Sequence, residues 1–466
     1  MSPLWTAAEA ALATGGRPVG EWAAAGVVID SRAVAAGDLF VALQGPNHDA
    51  HTFVDAAMAA GAAAALVRRG VLGGELPRLE VDDTLAGLEA LGVAGRARAG
   101  GRVAGVTGSV GKTGTKEALR HVLARQGAVF VSSASHNNHW GVPLSLARLP
   151  PAADWAILEL GMNHAGEISL LTRQVRPHVA VITTVAAAHL EFFGSLEAIA
   201  DAKGEIFEGL EPGGVAVLNR DDAVFERLRA RAIISGAARV LTFGSHESAD
   251  FRLLDARLDG EGSDVEASLH GRQIAYRVGI AGRHWLSNSL AVLATVEGLG
   301  GNVVAAAESL RDLQPPAGRG ARYPIAAANG EALLLDESYN ANPASVRAAL
   351  DVLGRLDGRK VAVLGDMREL GLDGPDLHAG LADAIASTGV ARLYTCGPLM
   401  ERLYRAVPAA IRAAHVGDST ALLPLVLAGL RQGDVVLVKG SLGSRMGPIA
   451  EALRRGAAGA SRRAAG

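Results

Sequence analysis

Short apolar runs recur along the chain, each ending in a polar or glycine-containing joint, and they fall into three blocks. In the first, VVIDS, DLFVAL and AALVRR predict strands between alanine-rich helical stretches, and the block closes on the helical segment TLAGLEALGVAGRARAG. The second opens with RVAGVTG and continues through AVFVS, WAILELG, VAVITTV, GVAVLN and RVLTFG. These runs are apolar throughout rather than alternating, the pattern of strands buried on both faces in a parallel sheet covered by helices. From Asp250 to Ile280, FRLLDARL, DVEASLHG and RQIAYRVGI predict an antiparallel appendage. The helical SNSLAVLATVEGLG then leads into LQPPAGRGARYP, whose prolines and glycines predict a hinge. In the third block ALLLDES, KVAVLGD, ARLYTCG, AAHVGD and DVVLVKG again alternate with helices. The prediction is an α/β chain of three domains, residues 1–98, 99–314 and 315–466, with a central parallel sheet of the P-loop ATPase type and a third, Rossmann-like doubly wound domain. The third block lacks G-x-G-x-x-G after its first strand, so dinucleotide binding is not expected there.

Length supports the division, since 466 residues exceed what one hydrophobic core usually holds. A net charge of -3 gives no support for a nucleic-acid partner. The single cysteine, Cys396, rules out an intramolecular disulfide and a cysteine-cluster metal site. The opening MSPLWTAAEAALATGG lacks the basic start and apolar run of a signal peptide, and no apolar run approaches membrane-spanning length, so a cytoplasmic protein is expected. The closing GAAGASRRAAG is expected to fray.

Candidate chemistry gathers at strand ends. In TGSVGKT, residues Thr107, Gly108, Ser109, Val110, Gly111, Lys112 and Thr113 join a buried strand to a helix. The glycines let backbone N–H groups approach phosphate, the lysine reaches terminal phosphates, and the Thr113 hydroxyl suits magnesium. A strict Walker pattern would need glycine at 106, where this chain has Val106. One βα unit later, SSASHNNHWGVPLSL places Asn137 and Asn138 at the same carboxyl edge; alone it is only a polar loop. Glu159, ending WAILELG, is a candidate magnesium ligand. His189 also follows a strand, but a lone histidine is more often structural, and magnesium prefers oxygen. Lys203, beside Glu205 and Glu208 in DAKGEIFEGL, reads by residue chemistry as part of a solvated helical face. Arg319 follows the hinge prolines and could stabilise phosphate charge from another domain, and Tyr339, Asn340 and Asn342 form a polar loop. An Asp, an Arg and a Lys within VLGDMRELG and VLVKGSLGSRM would suit a zwitterionic substrate.

Together these motifs resemble the Mur ligases of peptidoglycan synthesis, whose short phosphate loop, TG-(T/S)-x-GK-(T/S), accommodates Val106. DSR, GDLF and GAAA near the start, and SYNANP and LGDMRELG late, extend the likeness over nearly the whole chain. The resemblance implies that ATP phosphorylates the terminal carboxylate of a UDP-N-acetylmuramoyl-tripeptide and that the amine of D-alanyl-D-alanine attacks the acyl phosphate. It implies ATP and Mg2+ as cofactors, small-molecule substrates, and a monomer. It makes Lys112 the phosphate-loop lysine, and Thr113, Glu159 and His189 metal ligands. Lys203 becomes a carbamylated, metal-associated lysine, reversing the solvated-face reading. Asn288 contacts adenine, Arg319 the nucleotide phosphates, and Glu337 the ribose or metal. Ser31 and Arg32 hold the UDP end in an N-terminal UDP-binding domain, Asn137 and Asn138 lie near the sugar-peptide, and Tyr339, Asn340 and Asn342 serve the third-domain substrate site.

Four positions depart from the family pattern: Glu337 replaces aspartate, Trp285 the asparagine of G-x-HN, Leu442 the arginine of KGSR, and Ala50 the glycine of DGH. Arg445 could substitute for the missing arginine if its segment is helical. Other readings are a diamino-acid-adding or folylpolyglutamate-synthase-like ligase, a P-loop kinase or GTPase, and a regulator that has lost catalysis. The first predicts a DNPR-type motif, which is absent. A folate ligase would lack the N-terminal UDP-type domain, and a kinase needs no third domain. A regulator predicts loss of Lys112, Glu159 or Lys203, all of which are present.

Overall fold

The apolar runs of the first block assemble into a sheet in the order Arg17–Val19, Arg78–Val81, Ala64–Arg68, Asp38–Val41, Gly26–Val28. Its pairs are parallel except at the Arg17–Val19 edge. The computed structural model describes residues 3–464 apart from 46–47, 72–73, 134–135 and 187–189. Helix Thr84–Arg98, capped by the Asp83 carboxylate, buries Leu88 and Leu91 against this sheet. Its Gly92 and Gly95 lie against Pro143 and Leu146 of the second block, a separation that a Cβ on either glycine would prevent. Next to them the buried Arg96 donates to the carbonyls of Val175 and Arg176, both at 2.7 Å. Backbone contact and two charge-assisted hydrogen bonds therefore fasten the first domain to the second.

The second block forms a nine-stranded sheet among the described residues. From one edge it runs Val129–Val131, Trp155–Glu159, Arg102–Thr107, Val179–Ile182, Val215–Asn219 and Arg239–Gly244, all parallel. The interiors of these strands are buried on both faces, as their unbroken apolar character requires, except at the edge strand Val129–Val131, which is half-buried throughout. The antiparallel segments do not form a separate appendage. Phe251–Leu258 pairs parallel with Arg239–Gly244 at Phe243↔Phe251 and extends the same sheet through Ser263–Leu269 and Arg272–Val278. Phe251, Val265, Ala267, Tyr276 and Val278 alternate along these strands and share one core with helix His284–Gly298, so the hairpins are part of the domain.

The third block's sheet runs Ala321–Ala327, Gly330–Glu337, Asp434–Lys439, Arg359–Gly365, Arg392–Cys396, Arg412–Val416. It is parallel apart from the first strand. ARYP thus belongs to an edge strand and not to the hinge. Pro324 pairs with Leu333 on the one neighbouring strand, and an edge position tolerates its missing N–H. Among the described residues no helix is long and apolar enough to cross a membrane.

Candidate functional site

Chain connections diverge at the carboxyl ends of Arg102–Thr107 and Val179–Ile182, neighbours in the central sheet; one continues toward Val129–Val131, the other toward Val215–Asn219. A crevice opens where an α/β sheet reverses in this way, and the phosphate-type loop sits there. Val106 lies inside the strand, opposite Glu159 on one side and Val181 on the other, so the loop begins only at Gly108 and requires no glycine at 106. Gly111 begins helix Lys112–Leu123 at φ 87°, a left-handed conformation that favours glycine. A Cβ there would also come within 2.9 Å of Asn288 Oδ1.

The strand register sets the next contact. Because Glu159 is level with Val106, its side chain meets the first turn of the loop's helix: Thr113 Oγ1 donates to Glu159 Oε2 at 2.7 Å. Asn137 Nδ2 donates to Glu159 Oε1 at 2.9 Å. Lys112 Nζ curls back to the Gly108 carbonyl at 2.6 Å. Burial lowers the proton affinity of Lys112, as does Arg319, while Glu159 opposes them. The loop is held from the neighbouring strand end. Ser109 N donates to Thr184 O at 2.8 Å, Thr183 Oγ1 to Val110 O at 2.6 Å, and Ser109 Oγ to Ala186 O at 3.0 Å. Asp222 in turn accepts from Thr184 Oγ1 at 2.7 Å and Val185 N at 2.9 Å. Burial pushes its carboxyl up to about 6. Asp222 follows the strand GVAVLN, and the strand-end reasoning that drew attention to Glu159 would have found it too.

Lys203 is 2% exposed, and burial, then the nearby Lys112, holds its ammonium well below the ordinary lysine range. The solvated-face reading therefore fails. Glu205 reaches back to the N-terminus of helix Glu167–Val175, accepting from Gly166 N at 2.7 Å and Ser169 N at 3.1 Å. Glu208 pairs with Arg173 and Arg231. Both acids point away from any role as partners of Lys203 on a shared surface.

A cleft of about 700 Å³ separates the phosphate loop, Asn137 and Glu159 from the third domain. Its far wall includes Arg319, Tyr339, Asn340 and Asn342. The Arg319 guanidinium lies over the Tyr339 ring at 4.2 Å. Asn342 Oδ1 accepts from Ser345 N at 2.8 Å and caps helix Pro343–Gly354, and Asn340 Oδ1 takes Ala341 N at 2.9 Å. Glu337 reaches Lys439 Nζ at 3.0 Å. On the central side, Asn288 backs the loop glycine, and the Trp285 ring rests against Gly114, where a Cβ would stand 3.2 Å from the indole.

Several expected site residues lie elsewhere. Asn138 Oδ1 accepts from Gly141 N at 2.9 Å at the start of helix Gly141–Ala147, and Asn138 does not line the cleft. Ser31 and Arg32 occupy a 3-10 turn of the first domain, where Arg32 pairs with Asp30 at 2.7 Å. Asp366, the acid of VLGDMRELG, accepts from Leu399 N and Met400 N and is turned away from the cleft. Arg445 does not stand in for an arginine at 442. Leu442–Ser444 is a single 3-10 turn that ends with Arg445 at φ 53°, outside the cleft lining. Ala50 opens a 3-10 turn capped by Asp49. His189 lies outside the described residues.

Among the described residues no three His, Cys, Asp or Glu side chains stand together as a metal cluster. The donors at the loop are instead a hydroxyl and a carboxylate, Thr113 and Glu159. Hard oxygen donors in small number suit Mg2+ shared with phosphates and water.

Residues 106–296 match the Mur ligase middle domain and residues 322–442 the Mur ligase, glutamate ligase domain. A UDP-N-acetylmuramoyl-tripeptide–D-alanyl-D-alanine ligase of Escherichia coli (strain K12) is 36% identical over 431 residues, covering 92% of this chain and 93% of that protein. A crystal structure of MurF from Acinetobacter baumannii superposes with a TM-score of 0.84 at 31% identity, covering 98% of this chain and 99% of the other. MurF ligase from Thermotoga maritima, solved in complex with ADP, gives 0.76 at 28% identity, covering 92% and 97%.

Proposed function

Since the chain belongs to the Mur ligase family, we infer that its central cleft joins a phosphoryl-transfer site to an amine-binding wall. The protein is an ATP-dependent ligase that adds D-alanyl-D-alanine to UDP-N-acetylmuramoyl-tripeptide in peptidoglycan synthesis. The observation that carries the assignment of roles is the Thr113–Glu159–Asn137 contact, with Lys112 beside it and Arg319 approaching from the third domain.

Read as a mechanism, ATP lies along the loop with its phosphates at Gly108–Thr113. Lys112 and Arg319 offset charge on the γ-phosphoryl group as it passes to the tripeptide's terminal carboxylate. Thr113 and Glu159 would hold Mg2+, which supplies further charge neutralisation when bound. The dipeptide amine then attacks the acyl carbonyl, phosphate leaves, and the amine's proton is lost to form the peptide bond. Bringing three substrates together in one cleft removes much of the entropic barrier, and closing the third domain onto the second completes the alignment.

Finer roles follow from the same reading. Asn288 and Trp285 border the base end of the nucleotide, and Tyr339, Asn340 and Asn342 the amine side. Ser31 and Arg32 meet the uridine diphosphate on residues 1–98, while residues 99–314 hold ATP and residues 315–466 the dipeptide. Glu337 acts through its pair with Lys439 and leaves the ribose to other groups. A buried lysine whose proton affinity is depressed carries the unprotonated amine that reacts with CO2, and this supports carbamylation of Lys203. The resulting anion would relieve the repulsion from Lys112 and offer oxygen to the metal. Substrates built on ATP and UDP support a cytoplasmic location for an enzyme that works as a monomer.

The test is product formation. With ATP, Mg2+, UDP-MurNAc-tripeptide and D-Ala-D-Ala, phosphate release should require both peptide substrates and yield UDP-MurNAc-pentapeptide by mass. Release that ignores the dipeptide would refute the third-domain role.

A further inference from the structure

Four lysine and arginine side chains face the cleft: Lys112, Arg319, Arg368 and Lys439. Lys112 and Arg319 stand at the phosphate end, where the Arg319 charge adds to burial in lowering the proton affinity of Lys112. Lys439 is 3% exposed and already engaged, with Glu337 Oε2 and the Asn340 carbonyl each at 3.0 Å. Arg368 is the most exposed of the four. Among the described residues its guanidinium has no ion pair or side-chain hydrogen bond, and it lacks the aromatic partner on which Arg319 is stacked.

Its position is nonetheless fixed. Arg368 N donates to Ser441 Oγ at 2.9 Å, and Ser441 Oγ donates to the Ala341 carbonyl at 3.1 Å. The preceding residue is held as well, Met367 N donating to Nε2 of the buried His378 at 2.9 Å. The guanidinium lies across Gly443: a Cβ there would stand 2.6 Å from Nη1, 2.7 Å from Cζ and 2.8 Å from Nε. The segments after Gly330–Glu337, Arg359–Gly365 and Asp434–Lys439 are thus tied together through Ser441, and the last of them carries the guanidinium on Gly443. A guanidinium held by its backbone and by packing, with its donors open to a cleft, is arranged to receive a carboxylate in a bidentate manner. Nearby Leu442 is 69% exposed and supplies no charge.

We propose that Arg368 binds the terminal carboxylate of the incoming dipeptide and so selects an amine substrate that carries one. This rests on the ligase reading above. The amine must reach the acyl carbonyl near Glu159 and Lys112, and a carboxylate anchored on the opposite wall sets its direction of approach. Of the four cations, Arg368 can take that carboxylate without giving up an existing partner or competing with phosphate.

The experiment compares D-Ala-D-Ala with D-alanyl-D-alaninamide, whose terminus is neutral, as substrates for wild type, Arg368→Met and Arg368→Lys. Phosphate release is followed at saturating ATP and UDP-MurNAc-tripeptide. Wild type should favour the free acid by roughly a hundredfold in kcat/KM, the scale of a bidentate charged contact. Arg368→Met should lose about that factor with the acid and treat the two dipeptides alike, while Arg368→Lys keeps part of the preference. KM for ATP and for the UDP substrate should not change, which also reports that the variants fold. An unchanged preference in Arg368→Met, no preference in wild type, or a defect confined to the UDP substrate each overturns the assignment. Wild type that releases no dipeptide-dependent phosphate refutes the ligase reading itself, a separate outcome.

Discussion

Replacing Glu159 with glutamine separates the structural from the chemical role of that side chain. Both carboxylate oxygens accept hydrogen bonds, from Thr113 at 2.7 Å and Asn137 at 2.9 Å, in a site where Glu159 is 2% exposed. Glutamine can present its oxygen to Asn137 and its NH2 to Thr113, whose hydroxyl turns to accept, so both contacts persist. Each changes from a charged to a neutral hydrogen bond, a loss of about 1 kcal/mol apiece. Burial of a charge is relieved at the same time, so the net change stays under about 2 kcal/mol and the melting shift under about 8 °C. Catalysis should respond far more. The site loses a metal-binding anion, and Lys112 loses the carboxylate that favours its charged form. The expected fall in activity is at least about a hundredfold, with the Mg2+ requirement moved to higher concentration. The assays are a thermal melt and substrate-dependent phosphate release across a Mg2+ titration. Activity within about threefold of wild type with an unchanged Mg2+ requirement would refute the reasoning, because a drop that small is below what loss of a metal ligand allows.

Other perturbations test neighbouring parts of the account. Lys203→Ala should lose most activity, and short-chain carboxylates should restore some of it; full activity in the variant contradicts a carbamate role. Asp222 binds its proton more tightly when folded, with a pKa of about 6 against 3.8, so its contribution to stability falls as pH rises through that interval. Asp222→Asn should flatten the dependence of the melting temperature on pH there, and an identical profile would refute the assignment. Arg96→Met should destabilise by about 2–4 kcal/mol in chemical unfolding, because the Val175 and Arg176 carbonyls lose their buried donor. Leu442→Ala should change stability by less than about 0.5 kcal/mol and leave ligation near wild type, as expected for an exposed side chain; a marked loss of ligation would return this position to the substrate site.

What could be read in the sequence was what local pattern encodes. The runs RVAGVTG, WAILELG and VAVITTV announced buried parallel strands, and parallel sheets present functional groups at their carboxyl ends. Glu159 was singled out by that rule, and the phosphate loop by the glycines, lysine and threonine of TGSVGKT. Properties that depend on register or on distant neighbours could not be read. Lys203 looks solvated beside Glu205 and Glu208 until Gly166 and Ser169, far along the chain, are seen to take the first of them. The hairpins after Asp250 looked separate because only a short parallel pairing, Phe243↔Phe251 and Gly244↔Arg252, joins them to the rest of the sheet among the described residues. ARYP looked like hinge because proline and glycine mark edge strands as well as turns. Of two adjacent asparagines, Asn137 reaches Glu159 and Asn138 caps a helix, a difference set by loop geometry. The motif VLGDMRELG offered an arginine for a zwitterionic substrate, but its place against Gly443 and Ser441 could not be read from it.

The central claim is that this cleft activates a carboxylate by phosphorylation and then delivers an amine to it. Isotope transfer tests it most directly. UDP-MurNAc-tripeptide labelled with 18O in its terminal carboxylate is turned over with ATP and D-Ala-D-Ala, and the released phosphate is analysed by mass. An acyl phosphate predicts one labelled oxygen in each phosphate formed, matched to pentapeptide produced. Unlabelled phosphate alongside pentapeptide would mean that ATP is cleaved without phosphorylating the carboxylate, and would contradict the account.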